Sequence, residues 1–397
     1  MRIALVHDYL NQYGGAERVL ESFCELFPEA PIYTLFYDEE KTRGKFKGKK
    51  IITSFLNNKF VINNHRLFIP LMPLAAFFMK VDSDYDMVLS SSAGFGKGIR
   101  SGKKTVHVSY CHTPLRYAWE YYRYFNWPNY LKILSAPAFW YLRKWDKWVG
   151  KKPQKIIANS KYIAEKIKSY YGRGAEVIYP PVDTEKFCIH PRTYKHLQIL
   201  NSILSDNTSS YVLKNYVQKL DEGVNPKVIK GDYFLAVGRL IHYKKFDLII
   251  QAFNKLNLPL LIVGNGPELE NLKKLVRSPK IEFLTSVTDD QLIVLYNGAQ
   301  AFIFPQVEDF GLVAAEAQAC GLPVISFNQG GGKEIVSEGV TGILFNNQNV
   351  DDLIMAIKRF QIRQFDRKLI RESALRFSKN KFKKAILKAI YNARDGK

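Results

Sequence analysis

Short apolar runs alternate with amphipathic stretches along most of the chain. "RIALVHDY" leads into "GAERVLESFCELF", "KIIANS" leads into "KYIAEKIKSYYG", and "TVHVSYC" and "AEVIYPPV" continue the rhythm through the first half. A compact apolar run reads as a strand, and apolar positions at a period near 3.6 read as a helix with one buried face. Repetition of that unit predicts a parallel sheet covered by helices on both faces. The first such domain is expected over residues 1–187, ending near "PPVDTEKF", where paired prolines disfavour a continuing helix.

From Cys188 to Lys230 the alternation lapses into polar sequence with room for one or two helices, read as a connection or insertion. It restarts with "YFLAVGRL", "DLIIQAFNKL", "PLLIVGNG", "KIEFLTSV", "AFIFP", "LVAAEAQAC" and "PVISF". Residues 231–375 are therefore expected to form a second doubly wound domain. Residues 376–397 read as an amphipathic helix expected to pack back on the first domain. The expected class is α/β, with two Rossmann-like domains.

Composition agrees with two packed cores: 397 residues, 47% hydrophobic and 14% aromatic, leave no case for disorder. Lys and Arg number 58 against 37 Asp and Glu, a net +21 that biases the surface towards anionic partners. Nucleic acid is one such partner, but no finger, RNP or helix-turn-helix signature accompanies the charge, so none is expected. Cys24, Cys111, Cys188 and Cys320 fit neither a disulfide framework nor a CxxC metal pattern, and are read as reduced thiols of a cytosolic protein. The first strand is broken by His7 and Asp8, unlike a signal peptide. The apolar stretch from Leu67 to Met79 holds two prolines and falls short of the ~20 residues that span a bilayer.

Ligands of doubly wound sheets lie beyond the carboxyl ends of strands, which directs attention to four places. In "YGGAER", Gly14 and Gly15 open a helix whose free N–H groups favour an anion, though an ordinary strand-to-helix turn has the same look. In "VGRLIHYKK", Arg239 can fork across two phosphate oxygens and Lys244 can add a point charge; a solvated basic turn is the alternative. In "EDFGLVAAE", Glu308 lies in a loop, Gly311 at a turn and Glu316 in the following helix, so N–H groups from Phe310 through Gly311 to Leu312 can face a ligand bordered by two acids. Carboxylates beside a phosphate need another task, such as accepting sugar and ribose hydroxyls or stabilising a carbon that turns positive. In "YCHTPLRYAW", His112 sits just past a strand end, either at a ligand or as a satisfied structural histidine.

Taken with "NSKYIAEKI", "YPPVDTEKF" and "VGNGPELE", these motifs resemble the retaining glycosyltransferases of family 4, of the glycogen synthase and phosphatidylinositol mannosyltransferase type. "HDYLNQYGGAERVLE" and "CHTPLRYAWEYY" look more narrowly like bacterial O-antigen or exopolysaccharide mannosyltransferases. The resemblance covers the chain apart from Cys188 to Lys230. It implies the GT-B fold, two Rossmann-like domains facing across a cleft, and no metal or other cofactor. It further implies that Arg239 and Lys244 hold the diphosphate of a sugar nucleotide, GDP-mannose by resemblance, and that Glu316 binds the ribose. Glu308 and the N–H groups of Phe310, Gly311 and Leu312 would hold sugar hydroxyls. His112 would contact the transferred sugar, and Gly14 and Gly15 would let the first loop approach the phosphates. Where many relatives carry glycine after the phosphate-binding lysine, this chain has Lys245, so the inward-pointing lysine is Lys244 only by its spacing from Arg239.

Between Ser101 and Arg173 there are 15 Lys and Arg against 3 Asp and Glu, interleaved with aromatics as in "FWYLRKWDKWVGKK". That pattern suits either an acidic lipid surface or an aromatic helix packed in the core with solvated lysines. On the first reading the acceptor is a lipid-linked saccharide and the protein sits peripherally at the inner membrane face. A metal-dependent transferase would want a DxD motif; "DSDYD" from Asp82 to Asp86 offers it but reads better as an acidic turn entering a strand. A UDP-sugar donor and a non-catalytic sugar-binding module are the remaining alternatives.

Overall fold

The computed structural model describes residues 1–121, 129–190, 194–206, 210–221 and 233–396. The chain divides into two units: Met1–Pro181 together with Lys379–Lys397, and Val182–Ser378. The boundaries therefore fall at 181 and 378, where the sequence pattern put them at 187 and 375.

In the first unit, β1 (Ile3–His7), β2 (Ile32–Thr34), β3 (Ile51–Thr53), β4 (Met87–Ser92), β5 (Val106–Cys111), β6 (Lys155–Ala158) and β7 (Glu176–Val177) form one sheet in the order β3-β2-β1-β4-β5-β6-β7. Every pairing is parallel. All five residues of β1 and all six of β4 are buried, because helices cover both faces of a parallel sheet and leave no polar side. Register sets His7 opposite Ser91 and Ser91 opposite Tyr110 across the three central strands. Helix α1 (Gly15–Leu26) buries Val19, Leu20 and Phe23 beneath the sheet, and the C-terminal helix Lys379–Arg394 adds Phe382, Ile386, Ala389 and Ile390 to the same cluster.

On the other face, α2 (Asn129–Val149) turns Phe139 and Leu142 into a cluster shared with Val61, Ile69 and Met72. Helix α3 (Lys161–Tyr171) begins at Ser160, whose hydroxyl accepts the Ile163 N–H, and ends at Gly172 in a left-handed conformation. Both caps satisfy backbone groups that a helix end leaves open.

The second unit is a six-stranded parallel sheet in the order β10-β9-β8-β11-β12-β13, from β8 (Phe234–Val237), β9 (Leu260–Val263), β10 (Ile281–Leu284), β11 (Phe302–Phe304), β12 (Val324–Phe327) and β13 (Gly342–Phe345). Helices α4 (Phe246–Leu256), α5 (Leu312–Ala319) and α6 (Val350–Gln361) lie among those that flank it. The stretch read as a connection supplies two helices, Tyr194–Asp206 and Tyr211–Asp221, and belongs to this unit. Glu282 of β10 fastens the second of them by accepting from the Val212 N–H and the Ser210 hydroxyl. The expected junction at 230–231 lies outside the described residues.

Candidate functional sites of the two units

In each sheet the strand order reverses at the centre, between β1 and β4 in one unit and between β8 and β11 in the other. Loops leaving two such strands diverge to opposite faces and open a crevice, the usual ligand position of this architecture. Gly14, Arg239, Lys244, Glu308, Phe310 and Gly311 fall on these loops, Gly15, Leu312 and Glu316 on the helices that follow them, and His112 just past the neighbouring β5.

Beyond β1, Asp8 is 5% exposed and its carboxylate is fully engaged: Oδ1 accepts the Ser92 hydroxyl at 2.8 Å and the Gly96 N–H at 2.5 Å, and Oδ2 accepts the Ala93 N–H at 2.6 Å. It thereby ties the β1 end to the β4 loop. Gly14 and Gly15 open α1, but the Gly14 N–H is given to Oε2 of Glu17 at 2.8 Å, which leaves the exposed Gly15 at the mouth of the turn. Glu17 is 2% exposed, and its Oε1 faces Nε2 of the buried His7 at 3.6 Å. His7 Nδ1 lies 3.1 Å from the Ser91 hydroxyl, and that hydroxyl lies 2.8 Å from Nε2 of His112. His112 thus belongs to a buried polar chain that starts at the glycine turn. Tyr110 packs its ring edge-on to the His112 imidazole, centroids 5.2 Å apart.

The segment after His112 is anchored by a second buried group. Asp146 of α2 is fully buried and accepts from Trp119 Nε1 at 2.7 Å, the Tyr171 hydroxyl at 2.8 Å and the Leu115 N–H at 3.3 Å. Its Oδ1 lies 2.8 Å from Nζ of Lys97, itself 1% exposed, without hydrogen-bond alignment, so charge holds the pair. Burial pushes the Lys97 ammonium down, but the Asp146 carboxylate, with Cys111 and Asp8 adding to it, raises the group above its ordinary value.

In the second unit, Arg239 follows β8 and is exposed; its carbonyl accepts the Ile241 N–H at 2.9 Å, and its guanidinium has no hydrogen-bond or ion-pair partner among the described residues. Lys244, on the single turn His242–Lys244, instead pairs with Oε1 of Glu308, their side chains 16% and 17% exposed. The Lys244 ammonium thus meets Glu308 from the β11 loop. Lys245 takes up the left-handed backbone, φ 58°, that precedes α4, which is why glycine is a natural occupant of its position.

Gly311 has φ 101°, and a Cβ there would come within 2.7 Å of the Phe304 ring; it lets the loop turn sharply into α5. Phe310 is buried against Phe377 and Leu312 begins the helix. Glu316, one turn into α5, is 2% exposed. Gly331 donates its N–H to the Glu308 carbonyl at 2.8 Å, and a Cβ on it would meet the Phe310 carbonyl oxygen at 1.9 Å. The β12 loop therefore braces the loop that carries Glu308 through backbone contact only glycine permits.

The structure thus brings Lys244 to Glu308 and connects Gly14 to His112 through intermediaries, while Glu316 lies inside its helix layer. Sequence reading passed over Glu17, Ser91 and the triglycine at 330–332, and took His7 only as an interruption of an apolar run. The available signals were polar residues at the carboxyl ends of strands, "VHD", "LSSS" and "NQGGG". "DSDYD" forms a turn whose Asp86 carboxylate accepts the Arg2 N–H at 2.7 Å and whose Asp84 lies 3.6 Å from the Arg2 guanidinium. Among the described residues no group of three or more His, Cys, Asp or Glu is placed to hold a metal ion, and no helix is long and apolar enough to cross a membrane. None of the four cysteines forms a disulfide, and burial pushes the Cys24 thiol up to about 11.

Two family models match the chain. Residues 13–186 match glycosyltransferase family 4 and residues 217–384 match glycosyl transferases group 1. An uncharacterized glycosyltransferase of Methanocaldococcus jannaschii is 27% identical over 231 residues, 56% of this chain and 66% of the relative. A GDP-mannose-dependent alpha-(1-6)-phosphatidylinositol monomannoside mannosyltransferase of Mycobacterium tuberculosis is 28% identical over 222 residues, 51% of each chain. The matched part thus spans about half to two thirds of these relatives. Among solved structures, Anabaena HepE in complex with UDP and glucose superposes with a TM-score of 0.68 at 17% identity, covering 98% of this chain and 99% of that one. Two parallel Rossmann-like sheets, a GT-B neighbour along the whole chain and two models that leave only the ends and the stretch between them unmatched give one conclusion: the chain belongs to the family-4 type of glycosyltransferases with the GT-B fold.

Proposed function

We propose that the protein is a retaining hexosyltransferase that moves mannose from GDP-mannose to a lipid-linked saccharide during cell-surface polysaccharide synthesis. The observation that carries this reading is the charge arrangement beyond β8 and β11: exposed Arg239, whose guanidinium has no carboxylate partner among the described residues, and, further along the same loop, Lys244 paired with Glu308. An arginine held without a carboxylate is ready for a diphosphate. When the phosphates arrive, Lys244 can exchange its carboxylate for them, which releases Glu308 to accept sugar hydroxyls. Backbone N–H groups at Gly311 and Leu312 then border the sugar, Glu316 serves the ribose, and Gly15 at the mouth of the first loop serves the phosphates.

The bond from the anomeric carbon to the phosphate oxygen breaks as the acceptor oxygen attacks from the same face. The acceptor's proton passes to the departing phosphate, and the electron pair of the broken bond leaves with the nucleoside diphosphate. His112 contacts the sugar as positive charge builds on the ring. The likeness to a GDP-mannose-dependent relative supports mannose. A second reading, a UDP-sugar donor, is supported by the UDP and glucose bound to Anabaena HepE.

The donor is tested by thermal unfolding with GDP, UDP and ADP at matched concentration. A ligand that binds only the folded protein stabilises it by about 2.7 kcal/mol at a hundredfold excess over its dissociation constant. A shift selective for GDP is expected. A shift selective for UDP replaces the sugar, and no shift with any of the three defeats the sugar-nucleotide reading.

Peripheral membrane attachment is supported by α2, which exposes Ile133, Leu134, Trp140 and Trp148 while Lys144 lies over Trp140 and Lys152 lies 3.8 Å over the Trp148 ring. Exposed aromatics interleaved with lysines suit the headgroup region of an anionic leaflet. Cosedimentation with phosphatidylglycerol vesicles that weakens in high salt is expected; binding indifferent to acidic lipid content rules this attachment out.

A further inference from the structure

His112 is the one expected sugar-contacting residue of the first unit, and the atoms behind it define which of its ring nitrogens carries the proton. Glu17 Oε2 is occupied by the Gly14 N–H, and Oε1 faces His7 Nε2 at 3.6 Å. A nitrogen that faces a carboxylate carries its proton, since a lone pair there would be repelled. In a neutral imidazole the other nitrogen, His7 Nδ1, is then an acceptor, and the group 3.1 Å from it is the Ser91 hydroxyl. A hydroxyl has one proton to give. Having given it to His7, Ser91 can only accept from Nε2 of His112, 2.8 Å away.

We infer that Ser91, His7 and Glu17 are positioning residues that act through His112: they hold its proton on Nε2, and so keep Nδ1 a lone pair. The functional consequence rests on the sugar-transfer reading above. A lone pair at Nδ1 accepts from a sugar hydroxyl and places electron density, rather than an N–H, near a ring that becomes positive. The chain also begins on the backbone of the glycine turn, so the loop expected at the phosphates and the histidine expected at the sugar share one buried polar path, hydrogen-bonded except where Glu17 faces His7 at 3.6 Å. All of its side chains are buried, His7 3%, Glu17 2%, Ser91 0% and His112 7% exposed, which shields the path from exchange with solvent.

Two readouts test this. The first needs no substrate: the full chain labelled with ¹⁵N-histidine is observed at about pH 8.5, where an ordinary imidazole is neutral, with the His112 signals assigned by their loss in His112→Gln. A slowly exchanging proton on Nε2 is expected, and Ser91→Ala should release it to rapid exchange while Ser91→Thr, which keeps the hydroxyl, should hold it. A proton on Nδ1, or an Nε2 proton indifferent to Ser91→Ala, overturns the inference. The second readout is kinetic: Ser91→Ala and His7→Phe should each lower kcat by about tenfold, the worth of one hydrogen bond, with donor KM unchanged. In a His112→Ala background neither should lower it further. A loss that persists in that background shows a role in packing and overturns the inference. Should the chain transfer no sugar at all, the sugar-transfer reading fails while the NMR result still decides the relay. Should His7→Phe not fold, the Ser91 pair decides alone.

Discussion

The strand ends of the two units are built on opposite plans. In the first, Asp8, His7, Glu17 and His112 are all buried; His7 lies between Glu17 and the Ser91 hydroxyl that meets His112, and Asp8 is bonded to the β4 loop. In the second, Arg239 is exposed and Lys244 and Glu308 keep partial access to solvent. Buried polar groups fix geometry because any departure leaves an unpaired atom in a low dielectric. Accessible charges instead can trade partners at small cost. The same sheet architecture therefore supports a rigid platform in one unit and an exchangeable ionic site in the other.

The largest expected effect tests the rigidity of the first plan. Asp146→Ala leaves Lys97 charged and unpaired in the interior, which should destabilise the first unit by about 3–5 kcal/mol, read by urea unfolding followed by hydrogen exchange in β5. The amides of β8 to β13 should keep their protection; equal losses in both units would erase the contrast. On the second plan, Glu308→Ala should lower turnover by about a hundredfold to a thousandfold, the scale of one charge-stabilising group in a reaction centre. Nucleotide affinity should not fall, since Lys244 loses only a competitor. Joint loss of turnover and affinity would make the pair a structural tie.

A third test uses pH. Burial, with the nearby Lys152 ammonium adding to it, pushes His107 down to about 4. Unfolded, the imidazole takes its proton near 6.5, so between about pH 6.5 and 4 the unfolded chain binds more protons and the first unit loses stability. The loss amounts to about 3 kcal/mol and levels off below pH 4, where both states are protonated. His107→Gln should flatten that part of the stability profile. The smallest effect belongs to the second unit: Lys245→Gly relieves a left-handed backbone and should stabilise it by up to about 1 kcal/mol, as a rise in urea midpoint.

What the sequence revealed divides along similar lines. The two sheets were legible because βα alternation is local, and the residues after each strand could be inspected without knowing the strand order. Lys244 and Glu308, 64 residues apart, could be assigned to one ligand by chemistry and family resemblance, but their pairing required the fold. The relay behind His112 was invisible because it depends on register: His7 and Ser91, 84 residues apart, meet only once β1 and β4 align. The stretch around "FWYLRKWDKWV" admitted two readings, and α2 satisfies parts of each. Phe139, Leu142, Asp146 and Val149 turn inward while Trp140, Tyr141 and Trp148 turn out. Asp146 looked like one acid in a basic tract, and only its partners Lys97, Trp119 and Tyr171, from three other segments, reveal it as an anchor.

The C-terminal helix gives the chain an order of events. Phe382 stacks on Phe23 at 5.8 Å, and with Ile386 and Ile390 it closes the core of the unit that holds β1. The unit synthesised first is therefore completed late: residues 182–378 can fold as they leave the ribosome, whereas the face of the first sheet that α1 covers only in part waits for Phe382 to Ile390. During that interval the uncovered apolar patch is the part of the nascent chain most open to aggregation, and the C-terminal helix acts as the clasp that closes it.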